Sequence, residues 1–323
     1  MKIIKPFFLF VLIYCSFIVN AQNYHRYYEL TDSAFYFWKV SENIKADSMY
    51  QLAFDTFIGF PDDYANAAYN IWHKNPVKGK EYIAKSFLYG GFIQDIEFYL
   101  EKNDISISKR ELKKLARQNK EDIVSRKKKR KIQKMLMKDQ MARFIFHKKM
   151  HIVDSINQLK LIDYTINDSL FFNRFHIGYK ASMYSQLLLT HQVWTGITPI
   201  QDNLIRYIEK GWLHRDFLWY AIERVAVYAS KMYTIRNGKI IIDESTINTQ
   251  ISKKIGSYSM LGQISFWSNT QKQQVVVPVN PQKTEQEINA LRHAVFLPPL
   301  DIYRKSSGKL HPDVNEFKKI FNL

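Results

Sequence analysis

Cysteine is almost missing from this chain: Cys15 is the only one in 323 residues. It sits in an N-terminal apolar stretch, so the remainder has no disulfide, no thiol nucleophile and no cysteine metal ligand, and packing alone must hold it together. Glycine (11) and proline (9) are scarce, which argues against a turn-rich all-β fold. After the first 21 residues no apolar run reaches the roughly 20 residues that a helical membrane span needs. There is no phosphate-cradling Gly-rich loop, no Gly-x-Ser-x-Gly elbow and no dense run of carboxylates of the glycosidase kind. Acidic residues are outnumbered, 30 against 47 Lys and Arg.

The N-terminus reads as a secretory signal peptide. Lys2 and Lys5 precede an apolar stretch over residues 7–19, and Val19, Asn20 and Ala21 form a small-residue cleavage site, so 1–21 is expected to leave and the mature chain to start at Gln22. Anchoring through a lipid on Cys15 is the alternative; the bulky Tyr14 stands where lipoprotein signals have a small residue. The product is expected in the periplasm or the medium. About 300 remaining residues exceed one typical domain. Aromatic residues make up 15%, ample for a core.

The formal charge is +17, and its placement says more than its size. Residues 109–149 hold 17 Lys or Arg and 4 Asp or Glu, a local net of +13. Arg126, Lys127, Lys128, Lys129, Arg130 and Lys131 are consecutive. Such a run either binds an anionic partner or surface, or is a solvated helical linker between domains. Nucleic acid is not expected, because export removes the chain from it and no aromatic lies between Arg110 and Arg143 to stack on bases.

Hydrophobic spacing predicts a mainly α protein: helical hairpins over 22–105, a basic helical linker over 106–134, and a mostly helical domain with a few short strands over 135–323. Met49, Ala53 and Phe57 share one helical face. Beyond Pro61, Asp62 or Asp63 can cap a helix whose stripe is Tyr64, Ala67, Ala68, Ile71 and Trp72. Asn75 and Pro76 mark a turn into a helix carrying Val77, Ala84, Phe87 and Leu88, ending at Gly90 and Gly91. This pattern resembles tetratricopeptide-type repeats, with an ordinary bundle as the alternative. Strands are predicted at 239–242 and 274–279, with Pro278 confining the second to an edge.

One long amphipathic helix is predicted to carry Ile132, Leu136, Phe146, Met150 and Val153 on a single stripe. Asp139 and Arg143 fall on that stripe, four residues apart, and must pair because unpaired burial of charge is costly. Joined by Gln140, His191, Glu223 and Arg224, they form either a catalytic centre or a buried polar network. As a centre, His191 would move protons, Asp139 or Glu223 would orient it, and Arg143 or Arg224 would grip an anionic group. His147 and His151 have zinc-helix spacing without an acid between them, so no metal and no cofactor is expected.

Several ordered pieces resemble an uncharacterised bacterial family, a domain of unknown function that follows tetratricopeptide-like helices in secreted Bacteroidota proteins. Asp139, Gln140 and Arg143 match its Asp-Gln-x-x-Arg; Asp163 and Asn167 its Asp-x-x-x-Asn; Gly178 and His191 its Gly and Gln-His elements; Glu223 and Arg224 its Asp-Arg. Pro278 to Pro281, Arg292 and the stretch 296–303 resemble its closing motifs. Thr190 replaces the Gln before His, Glu223 replaces Asp, Val193 and Trp194 stand where an acid follows His, and Tyr233, Thr234 and Ile235 degrade its Tyr-Gly-Thr-Gln. The resemblance implies no activity. The expectation is thus an exported helical-repeat interaction or scaffold protein with an unknown protein partner, or alternatively an enzyme centred on Asp139, Arg143, His191 and Glu223, with Gln140, Arg224, Asp163 and Asn167 as binding residues.

Overall fold

The computed structural model describes residues 24–192, 201–237, 239–252 and 256–323. The expected signal peptide, Cys15, Val193 and Trp194 lie outside them. Among the described residues the chain is mainly helical, with three short two-stranded antiparallel sheets near its C-terminal part. No described helix is long and apolar enough to cross a membrane.

Five helices open the fold: α1 (Tyr24–Lys39), α2 (Asn43–Thr56), α3 (Pro61–Ile71), α4 (Pro76–Leu88) and α5 (Ile93–Lys102), followed by α6 (Lys109–Gln118). Proline at the first position starts α3 and α4, where a missing N–H costs nothing. Asn75 caps α4 by accepting from the Lys78 N–H at 3.0 Å. The predicted α3 stripe is buried throughout, but the α4 face is displaced from its expected position. Tyr82, Ile83, Ser86 and Phe87 face inward while Val77 and Leu88 are exposed. Gly79 explains the shift: any side chain there would strike the Trp72 ring, so α4 approaches α3 through that position. These helices share a core from Ala34 to Leu112.

The predicted long helix is two. α7 (Arg126–Phe144) ends where Phe146 leaves helical geometry, a 3-10 turn follows at His147–Lys149, and α8 (Met150–Asn167) runs back along α7. Phe146, placed on the apolar stripe by spacing, is exposed at this reversal. The stretch expected to link two domains, 106–134, takes in α6 and the first half of α7, whose Leu112 and Ile132 are buried, and the division at 134/135 falls inside α7. Residues 160–167 form the last turns of α8.

A second, larger core gathers α7, α8, α10 (Tyr179–Gln192), α11 (Gln201–Glu209) and α12 (Asp216–Ala229), after a short α9 (Arg174–Ile177). It also takes Tyr24, Tyr27 and Tyr28 from α1 and Phe57 and Phe60 beyond α2. Each such buried aromatic contributes about 2–3 kcal/mol. Arg174 locks the junction: its guanidinium donates to the carbonyls of Gly211, Gly59 and Ile58 at 2.7–2.8 Å and stacks 3.9 Å from the Phe60 ring. Gly211 has φ +64 and a Cβ there would overlap Tyr24, so glycine is required.

The hairpins are β1 (Lys231–Arg236) with β2 (Lys239–Ile247), β3 (Gln250–Ser252) with β4 (Gly256–Ser257), and β5 (Ser265–Ser268) with β6 (Gln273–Val276). The strand expected at 239–242 lies in β2; of 274–279 only the first three residues lie in β6, and Val279 makes an isolated bridge to Ser259. Helices α13 (Glu285–Ala294), α14 (Leu300–Ser306) and α15 (Val314–Phe321) close the chain, and α14 packs on α1.

Candidate functional site

Folding brings part of the expected centre together. Asp139 on α7 has a fully buried side chain, and both its oxygens are taken. Arg143 grips it bidentately, Nε to Oδ2 and Nη2 to Oδ1, each at 3.1 Å. Gln140 donates to Oδ2 at 2.9 Å. His191 Nδ1 lies 3.0 Å from Oδ2 and 3.2 Å from Arg143 Nε. Because Arg Nε is always a donor already aimed at the carboxylate, Nδ1 carries a proton and gives it to Asp139. Arg143 also donates to Asp154 Oδ1 at 2.7 Å. Burial alone would push the Asp139 carboxyl up, but the hydrogen bonds from His191 and Arg143 outweigh it and hold it below the usual carboxylate range. A carboxylate with four donors is saturated and offers nothing to a substrate; this knot fastens α7, α8 and α10.

The remaining expected residues stand elsewhere. Glu223 on α12 is fully buried, and its carboxylate accepts from Ser259 Oγ and the backbone N–H groups of Met260, Leu261 and Gln263 at 2.5–3.0 Å. It pins the loop after β4 rather than orienting His191. Burial pushes its pKa up, against those hydrogen bonds. Arg224 follows it, half-buried. Asn167 donates to Asp163 at 2.8 Å on the exposed face of α8, an ordinary i,i+4 surface pair. Within the basic run, Lys128 pairs with Asp168 at 2.5 Å and Lys131 lies 4.1 Å from the centre of the Tyr164 ring.

A different set of groups meets in an open cleft of about 280 Å³ between α1, the start of α3, the start of α12, and α14. Its polar walls are Asp62, Asp63, His214, Arg215 and Asp216, and Tyr28, Phe35, Trp219 and Tyr303 supply aromatic surface. Proline-started α3 places Asp62 and Asp63 in its first turn, where the helix dipole favours carboxylates; Asp216 holds the same place on α12. Arg215 is neutralised by a bidentate pair with Asp32 of α1 and lies 4.5 Å from the Tyr28 ring centre.

The protonation of these groups is pulled apart. Burial pushes the Asp63 carboxyl up to about 6, although Tyr27 Oη donates to it at 2.5 Å and His214 and Arg215 are near. Asp62 is open to the cleft yet walled by protein behind, and that wall raises its pKa against His214 and the Tyr179 hydroxyl, which donates to it at 3.1 Å. Asp216 goes the other way: the protein packed behind it opposes, but its side chain is 55% exposed at the cleft, and His214, Arg215 and the Trp219 Nε1–H at 2.9 Å hold it below the carboxylate range. His214 is raised, because Asp216 and Asp63 overcome the effect of burial. Its Nδ1 has a partner in either state, giving a proton to Asp216 Oδ2 when charged or accepting from the Asp216 N–H when neutral, both at 3.3 Å. A proton can therefore come and go without rearrangement.

Among the described residues no three His, Cys, Asp or Glu are placed to share a metal ion. Sequence reading treated Asp62 and Asp63 only as cap candidates and passed over 214–216, because about 150 residues separate the two pieces. The available signal was local: His-Arg-Asp at a helix start, in a chain short of acids. No protein-family model, curated protein or solved structure matches the chain.

Proposed function

We propose that the chain is an exported acid–base enzyme whose site is this cleft, acting on an uncharged, hydroxyl-rich substrate of the glycoside class. One observation carries the reading: in a single solvent-reachable cleft two carboxyls are driven in opposite directions, Asp63 up to about 6 and Asp216 down. Such divergence assigns acid and base. Asp63 would protonate the leaving oxygen, Asp216 would take a proton from the attacking water, and His214 would position Asp216. Carboxylates line the cleft and its Arg215 is occupied by Asp32, which disfavours anionic substrates; the half-buried Trp219 and Phe35 offer faces on which sugar rings stack. A second cavity of about 400 Å³ shares Tyr28, Asp32, Pro298 and Ile302 with the first, leaving room for more than one unit. Residues 1–21 as a secretory signal, and membership of the secreted Bacteroidota family that the motifs resemble, belong to the same proposal.

The test is hydrolysis of a panel of nitrophenyl glycosides and soluble polysaccharides by the wild type and Asp63→Asn. Turnover with an alkaline limb near pH 6, lost in the variant, supports the reading; turnover untouched by Asp63→Asn contradicts it.

A second reading, protein interaction through the α1–α6 helical hairpins, is favoured by Phe98 and Tyr99, adjacent exposed aromatics on α5. Cross-linking in the cell envelope should then recover a partner with the wild type and not with Phe98→Ser/Tyr99→Ser.

A further inference from the structure

The α7–α8 hairpin carries a second site, independent of the cleft. Residues 126–160 contain 12 Lys or Arg and 2 Asp, a net of +10. Both acids are used internally, Asp139 in its buried knot and Asp154 against Arg143. Past 160 the hairpin adds one exposed acid, Asp163, paired with Asn167, so its surface stays strongly cationic.

Between the two helices runs a groove of about 280 Å³. Lys131, Lys134, Lys138 and Lys160 form its rim, and among the described residues the last three have no ion-pair partner. Asn157 lies in its floor, only 4% exposed, with its Nδ2 donor lacking any hydrogen-bond partner. A buried amide donor without an acceptor is unfavourable, and an anionic oxygen entering the groove would supply the acceptor. At the reversal beyond the groove the surface turns apolar: Phe144 is 76% and Ile145 64% exposed, with Phe146 and Ile152 beside them. Contiguous exposed apolar side chains on a soluble fold mark an interaction surface.

We infer that this hairpin docks on an anionic lipid bilayer, with a headgroup phosphate in the lysine groove and the apolar tip in the headgroup–acyl boundary. Cations around an apolar projection match the two layers of such a surface, charge outside and hydrocarbon beneath. A protein partner would have to place acids and an apolar pocket at this spacing; a bilayer presents both over its whole area.

The experiment is flotation of a chain starting at Gln22, which carries every residue of the three cores, with phosphatidylcholine vesicles and with vesicles of equal parts phosphatidylcholine and phosphatidylglycerol. Binding to the anionic vesicles alone, weakening as salt rises, is expected. Lys134→Glu/Lys138→Glu/Lys160→Glu should lower it at least about tenfold. Lys→Gln at the same positions should lower it less, and Phe144→Ser/Ile145→Ser should lower it at unchanged salt sensitivity; circular dichroism of all three variants checks that they fold. Equal binding to both vesicle types, or binding that the lysine variants leave intact, would overturn the inference. So would shifts of the Asn157 amide resonance with inorganic phosphate in the absence of vesicle binding, or a concentration-dependent dimer abolished by Phe144→Ser/Ile145→Ser without vesicle binding.

Discussion

The knot around Asp139 and the cleft around Asp63 are built from the same residue types, aspartate, arginine and histidine, and they behave oppositely. In the knot one carboxylate receives four donors and is held ionised. In the cleft Arg215 is spent on Asp32, which leaves Asp63 with a phenol for its hydrogen bond and a pKa driven up to about 6. Where the cation sits thus decides whether a buried acid becomes a fastening or a reactive group. The knot faces a saturated interior, whereas the cleft opens to water.

The largest expected effect separates the two on stability. Asp139→Ala leaves Gln140 and His191 without their acceptor and Arg143 with Asp154 alone, and should cost about 2–3 kcal/mol, read as a fall in denaturant midpoint. Asp63→Asn keeps an acceptor for the Tyr27 hydroxyl and should not destabilise. In the cleft the order reverses for turnover: Asp63→Asn should lower activity by a factor of about 10² or more, measured on the best substrate of the glycoside panel. A knot variant that folds but loses turnover as fully would erase the distinction.

The pH dependence of stability sharpens it further. Asp63 has a folded pKa above its ordinary 3.8, so its contribution is complete below about 4 and is lost as pH rises through about 6. Asp139 has a folded pKa below the ordinary value, so its contribution is present at neutral pH and is lost only as pH falls below 3.8. Urea titrations between pH 4 and 7 should therefore show a decline on the order of 2 kcal/mol that Asp63→Asn flattens, while acid unfolding below that window persists. The smallest effect is expected at Asn167→Ala on the exposed face of α8, within about 0.5 kcal/mol, and it calibrates what a surface pair is worth.

Much of the helical pattern was legible because caps and stripes are local. Pro61, Asn75 with Pro76, and the Thr284–Glu287 capping box all mark helix starts in a few residues. The Asp139–Arg143 pairing was legible for the same reason, being one turn apart on one helix. The break after Phe144 was not, since no proline or glycine marks it and the heptad-like spacing continues through it. Asn237, at φ +51, precedes Gly238 in the Asn-Gly pair that signals a hairpin, a cue that would have given β1 as well as β2. Glu223 could not be placed from spacing, because its partners lie 36–40 residues onward in a loop. The cleft was least legible: Asp63 and His214 become neighbours only through tertiary packing of α3 against the turn before α12, and a raised carboxyl pKa has no sequence signature.

The most direct measurement is a carbon-13 NMR titration of the Asp63 side-chain carboxyl in the folded wild-type protein. An inflection near pH 6, moved by His214→Ala, is the predicted result. An inflection at the ordinary aspartate value of 3.8 or below would contradict the assignment of the cleft as an acid–base site.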